Sequence, residues 1–263
     1  AFFNVSDTVT RANWKAFVEE SSINTNLPGI QGTGFSLIVP GDKLQQHIQK
    51  IRKEGFTEYT IKPEGKRETY TSIVFLEPFT GRNLRAFGYD MFSEPVRREA
   101  MELARDLNVA ALSGKVMLVQ ETGTDVQAGN IMYVPVYRKG EETNTIEQRR
   151  HAITGWVYSP YRLDDLMSGI LEGLELQGNK KIYLHIFDGP ECTPQSMLFK
   201  THAPEEQKAS ENIRFSIQIP VDFNGQRWTL VFTQRTENIF IDYISVWTVF
   251  FGGILISLLL FFL

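Results

Sequence analysis

The sequence is poor in the residue patterns that catalysis usually requires. It holds one cysteine, Cys192, among 263 residues, so no intramolecular disulfide exists and a small disulfide-stapled scaffold is excluded. Cys192 follows the turn-like Asp188-Gly189-Pro190-Glu191 with no histidine nearby in sequence, so no base is indicated that would make it a nucleophile. The histidines, His47, His151, His185 and His202, are scattered, without an H-x-x-x-H, a C-x-x-C or an acidic cluster at ligand spacing. No metal site and no cofactor are expected. Positive charge is not in excess either: 27 Lys and Arg against 31 Asp and Glu leave a net charge of -4, without the basic face that a nucleic-acid partner demands. Arg97-Arg98 and Arg149-Arg150 are short pairs that read as solvated surface. Neither a G-x-S-x-G elbow nor a P-loop is present. Ser113-Gly114-Lys115 lacks the upstream glycine and the following Ser or Thr, and Gly29, Gly32 and Gly34 stand in the wrong order and lead into a strand. An enzyme is therefore not expected in these residues.

What the sequence does have is one long uncharged run and a regular succession of periodic segments. Residues 243–263 contain no charged side chain. Roughly 20 helical residues cross a hydrocarbon core of about 30 Å, so this run reads as a transmembrane helix and the membrane as a partner. Upstream, Thr10 caps a helix carrying Trp14, Phe17 and Val18. The glycines of 28–34 make a tight approach to a strand over 35–39, and Asp42 caps a helix with Leu44, Ile48 and Ile51 inward, closed by Gly55. Strands are expected over 56–62 and 70–79. Ser93 then caps a helix with Pro95 in its first turn and Val96, Ala100, Leu103, Ala104 and Leu107 facing inward, and Asn108 leaves it in a left-handed conformation. Runs 110–120, 130–138 and 153–159 read as successive antiparallel strands joined by polar turns over 121–129 and 139–148.

A helix starting at Pro160 follows, with Leu163, Leu166, Met167, Ile170, Leu171 and Leu174 in one stripe. Strands over 181–187, 213–219 and 227–233 come after it, the last two joined by the hairpin signal Asn224-Gly225. This order implies an α+β fold with two tandem PAS-like domains, each an antiparallel sheet with helices. The expected division is an N-terminal helical segment over 1–27, a larger membrane-distal domain over 28–160, a smaller membrane-proximal domain over 161–236, and the membrane segment over 237–263.

The wording Pro28-Gly29-Ile30-Gln31-Gly32-Thr33-Gly34-Phe35, Leu76-Glu77-Pro78-Phe79, Arg85-Ala86-Phe87-Gly88-Tyr89-Asp90-Met91, Ser93-Glu94-Pro95, Ala111-Leu112-Ser113-Gly114 and Leu118-Val119-Gln120-Glu121 resembles the CHASE family. These are extracytoplasmic sensor regions of bacterial receptor kinases and diguanylate cyclases, and of the plant cytokinin receptors. The resemblance implies a periplasmic sensor in the inner membrane, a further span upstream, an output domain beyond Leu263, a homodimer and a small-molecule ligand. Aligned with the plant receptors, the aspartate that pairs the hormone's base falls on Asp90, and the leucine whose backbone completes that contact falls on Leu112. A pocket threonine falls on Tyr133. The last is a departure, because a phenol fills far more volume than a threonine and argues against the plant hormone as the ligand.

The residue types alone leave Asp90 open between two roles. It can cap a turn by accepting backbone N–H groups, or it can face a pocket and orient a ligand. Two other classes stand beside the sensor: a non-catalytic ectodomain whose pocket is filled by side chains and which binds a protein partner, and a periplasmic enzyme dependent on Cys192.

Overall fold

The computed structural model describes residues 9–21, 29–121, 123, 126–173, 182–201 and 212–236, with 247, 248, 250, 251 and 254. Most of the apolar run 243–263 lies outside the described residues, as do 1–8 and 22–28 of the expected N-terminal segment. Among the described residues no helix is long and apolar enough to cross a membrane.

Helix α1 (Arg11–Ser21) begins as its sequence predicts. The Asn13 N–H donates to Thr10 Oγ1 at 3.2 Å, which satisfies one of the amides a helix start leaves unpaired, and Trp14 and Val18 are buried. Strand β1 (Thr33–Pro40) leads into helix α2 (Leu44–Lys53), then strand β2 (Thr69–Glu77). Asp42 does not cap α2. It sits in a 3-10 turn over Gly41–Lys43, and α2 has no side-chain cap. Residues 56–62 are not a strand either. Tyr59 and Ile61 alternate inward, as the sequence pattern requires, but against α2 rather than within the sheet, and Lys62 makes only a single bridge to Tyr89. The edge of β2 is taken instead by Asp90, which bridges to Ser72.

Helix α3 (Pro95–Leu107) has Pro95 at its first position and Asn108 leaving it at φ 56°, ψ 45°. Its cap is Glu94, whose carboxylate accepts from the Val96 and Arg97 N–H groups, and not Ser93. Strand β3 is only Ala111–Leu112. The chain turns away at Ser113-Gly114-Lys115, where Lys115 N–H donates to Asp188 Oδ2, and touches the sheet again through the Val116–Gly129 bridge. Strand β4 (Gly129–Tyr137) and strand β5 (Ile153–Arg162) flank helix α4 (Ile146–Ala152), where only a turn was expected. Thr145 and Gln148 form its reciprocal capping box, a signal visible in the sequence.

These strands form one antiparallel sheet in the order β2-β1-β5-β4-β3, so β3, β4 and β5 are the predicted meander and β5 closes against β1. Tyr133 lies opposite both Ala111 and Tyr158, and Tyr158 lies opposite Gly34, so all four share the face beneath α3. Gly34 is required there, because a Cβ would come within 2.5 Å of the Tyr158 ring. Trp156 fixes the roof by donating its indole N–H to the Met101 carbonyl at 2.9 Å. Phe35 and Val74 line the opposite face, under Trp14 and Val18 of α1.

β5 runs on through Pro160 to Arg162, and helix α5 (Leu163–Gly173) starts immediately after it, later than Pro160. Leu163 and Leu171 are buried on its inner face, whereas Ile170 is exposed. A second antiparallel sheet follows, formed by strands β6 (Ile182–Asp188), β7 (Met197–Lys200), β8 (Asn212–Phe223) and β9 (Gln226–Thr236) in the order β7-β6-β9-β8. The short β7 was not foreseen. Asn224 and Gly225, at φ 46° and 85°, make the two-residue turn between β8 and β9 that their dipeptide predicts.

Candidate functional site

Asp90 is fully buried at the entrance to α3. Its Oδ1 accepts from the Thr71 N–H at 2.8 Å, from the Thr71 hydroxyl at 3.1 Å and from the Phe92 N–H at 3.2 Å. One carboxylate oxygen therefore ties β2 to the 3-10 turn Met91–Ser93, the short-range capping role open to an aspartate at this point. The second oxygen has no hydrogen-bond partner and faces Arg67 Nη1 at 3.5 Å. Ser93 completes the turn by donating its hydroxyl to the Asp90 carbonyl at 2.6 Å.

Leu112 stands at the border of the two sheets. Ser113 N–H donates to Ile131 O within the first sheet, and the alternating Leu112 N–H points the other way, to Asn224 O at 2.8 Å. The tip of the β8–β9 hairpin is thus docked on the edge at β3. Its fit is close: a Cβ on Gly225 would meet Leu103 Cδ2 of α3 at 2.5 Å, and a Cβ on Gly114 would meet Asp188 Oδ2 and Val96 at 3.1 Å. Lys115 adds a second tie by donating Nζ to Gln195 O at 2.7 Å.

Tyr133 lies in the interior between α3 and the sheet, with 0% of its surface exposed. Its hydroxyl has no hydrogen-bond partner, nor does that of Tyr158 across the strand pair. A third such group comes from α3. Arg97 shares the helix face of Ala100, Met101 and Ala104, is 3% exposed, and makes no hydrogen bond through its Nε–H. Its Nη2 donates to the Met117 carbonyl at 2.8 Å, its guanidinium carbon lies 4.8 Å from the Tyr89 ring centre, and Nε itself faces Glu94 Oε2 at 3.8 Å, an ion pair without a hydrogen bond. Burial pushes both phenols well above their ordinary pKa, and the positive charge of Arg97 acts on both in the opposite direction. Both hydroxyls accordingly keep their protons and are available as donors.

Reading Arg97-Arg98 as a solvated pair was wrong for Arg97. The signal was present in the helix period, since Arg97 precedes Ala100, Met101 and Ala104 by three, four and seven residues. Of the expected site residues, only Tyr133 lies among these unpaired donors. Among the described residues no group of three or more His, Cys, Asp and Glu side chains is arranged to hold a metal ion. Cys192 is exposed.

Among the described residues, neither the cleft over Arg11, Phe56 and Phe79 nor the one beside it on the other face of the first sheet is lined by Asp90, Leu112 or Tyr133. The latter, about 770 Å³, lies beside α1, where Phe35, Leu37, Val74, Phe75 and Val136 form its apolar floor.

Comparison with known proteins gives this arrangement a context. The chain is 23% identical over 152 residues to hybrid signal transduction histidine kinase A of Dictyostelium discoideum, an alignment spanning 54% of this chain and 7% of that protein. The CHASE domain model matches residues 7–199, more than half of the chain and all of the first sheet. With that match, the chain belongs to the CHASE domain family, sensor domains found in signalling histidine kinases.

Proposed function

We propose that this chain is the extracytoplasmic, ligand-sensing region of a homodimeric membrane receptor, whose two antiparallel sheets are PAS-like domains stacked above a span at 243–263. A small molecule enters the first domain beneath α3, and its occupancy is passed to a cytoplasmic histidine kinase or diguanylate cyclase. The observation that carries this reading is the pair of buried phenol hydroxyls, Tyr133 and Tyr158 on facing strands, that have no hydrogen-bond partner. A buried donor left unmade costs about 1–3 kcal/mol, and native interiors hold few of them. Two on facing strands fit a site whose missing acceptors arrive with a ligand.

Tyr133 lines this space directly, and Asp90 and Leu112 act from its border. Asp90 fixes the turn from which α3 starts. Leu112 holds the hairpin tip that also rests on Leu103 of the same helix. A ligand that displaces α3 therefore presses on the β8–β9 hairpin, and β9 is the last strand before residue 237. Such coupling needs different affinities for the ligand in the two positions of α3.

The test is thermal unfolding of the purified chain against a broad panel of small metabolites. Binding to the folded state alone gives a saturable rise in Tm that grows with ligand concentration. One observation favours a second reading, the protein-binding ectodomain: the interior around Tyr133 is sealed, whereas the apolar cleft beside α1 is open. Silence across the whole panel would move the function to that cleft.

A further inference from the structure

We infer that the chain has a second ligand site, for a small quaternary ammonium ion, in the cleft of about 520 Å³ over Arg11, Phe56 and Phe79. The cleft lies where α1 packs on β2, the outer strand of the first sheet. Neither Asp90, Tyr133 nor Tyr158 lines it, so the inference goes beyond the pocket beneath α3 and does not rest on it.

The walls of this cleft are aromatic. Trp14 of α1 stacks on Phe75 of β2 with ring centres 6.0 Å apart, and Phe79 meets Phe56 edge-on at 5.7 Å. Aromatic faces attract cations through the ring quadrupole. One cation is already held there: the Arg11 guanidinium carbon lies 4.4 Å from the Phe56 ring centre and 5.4 Å from that of Phe75. Its charge has its anion, because Arg11 Nη2 pairs with Glu54 Oε2 at 3.0 Å.

The charge left over is negative. Two cations, Arg11 and Lys15, and two carboxylates, Glu19 and Glu77, line the cleft. Lys15 pairs with Glu19 at 3.7 Å and Arg11 with Glu54, which leaves Glu77, the last residue of β2, without an ion pair among the described residues. Its Oε2 accepts the Phe79 N–H at 3.1 Å, and its Oε1 makes no hydrogen bond among those residues. A carboxylate placed beside these rings is matched by one positive charge.

The shortage of acceptors decides which cation. A primary ammonium or a guanidinium brings several N–H groups that each need an oxygen. Glu19 is engaged by Lys15, and Glu77 has a single oxygen unclaimed. A quaternary ammonium has no N–H to satisfy and is recognised by the faces of aromatic rings. An ion seated here touches α1 through Trp14 and β2 through Phe75, and so clamps the helix to the sheet.

Calorimetric titration and thermal unfolding of the purified chain with choline, and with its uncharged isostere in which carbon replaces the ammonium nitrogen, test this directly. The expected result is saturable binding of choline, with a Tm that rises with its concentration, and no saturation by the isostere. Glu77→Gln keeps an oxygen for the Phe79 N–H, so the ligand-free Tm should stay near that of the parent while the Kd for choline rises about tenfold. Phe79→Leu should weaken choline by about the same factor. If that variant loses stability, Glu77→Gln decides. Absence of choline binding overturns the inference, as does equal binding of the isostere or a choline Kd that Glu77→Gln leaves unchanged.

Discussion

In the first sheet, Tyr133, Trp156 and Tyr158 each keep 1% or less of their surface exposed, while on β8 Phe215, Ile217, Ile219, Val221 and Phe223 keep between 36% and 55%. Both sets follow the same alternation along their strands, so strand pattern does not separate them. The roof does. Helix α3 lies across the first sheet with Ala100, Met101 and Ala104 packed onto it, whereas α5 packs with Leu184, Ile186, Leu198 and Phe199 of β6 and β7 and leaves β8 at an open edge. Alternation says which residues share a face, and only a covering element decides whether that face becomes an interior.

That contrast can be broken most forcefully at the α3 roof. Met101→Ala removes a fully buried side chain, and chemical denaturation should show a loss of about 2–5 kcal/mol. Asp90→Ala leaves the Thr71 N–H of β2 without its acceptor and should cost about 2–3 kcal/mol by the same measurement. Asp90→Asn, which keeps an oxygen at that place, should lose less. An Asp90→Ala variant as stable as the parent would show that the carboxylate does not hold the turn.

A smaller effect is expected at the far side of the same domain. His47 Nε2 meets the Tyr59 hydroxyl at 2.9 Å, which in turn reaches Ser72 Oγ at 2.6 Å. Burial, with Lys50 adding to it, lowers the His47 pKa to about 4 from an unfolded value near 6.5. The folded state thus prefers the neutral ring. Its contribution is complete above pH 6.5 and is lost as the pH falls toward 4, because the unfolded chain binds the proton first. The Tm should decline over that window, and His47→Gln should flatten the decline. The smallest effect belongs to the uncovered strand: Ile217→Thr, at 42% exposure, should stay within about 0.5 kcal/mol of the parent.

Much of the fold was legible because its signals are local. Asn108 and Gly55 end helices in left-handed conformations, Pro95 opens α3, and Asn224-Gly225 turns a hairpin, each through the backbone preference of one or two residues. α4 was legible and overlooked, since Thr145 and Gln148 stand at capping-box spacing. Residues 56–62 misled for a physical reason. Tyr59 and Ile61 alternate as in a strand, but α2 supplies the surface that buries them and Asp90 occupies the edge they would have joined. β7, only four residues long, has too few positions to show a period.

The sequence by itself determined where the chain turns, which residues of each helix and strand share a face, and which family's wording it carries. All of these depend on neighbours a few residues apart. Only the tertiary structure decided that Arg97 of α3 is held by the Met117 carbonyl, that Tyr133 of β4 lies opposite Tyr158 of β5, that the Asp90 carboxylate is tied to Thr71, and that the Leu112 amide is taken by Asn224. Those partners lie tens of residues apart in sequence. Their meeting is set by how a helix packs on a sheet, and no local preference of the backbone encodes it.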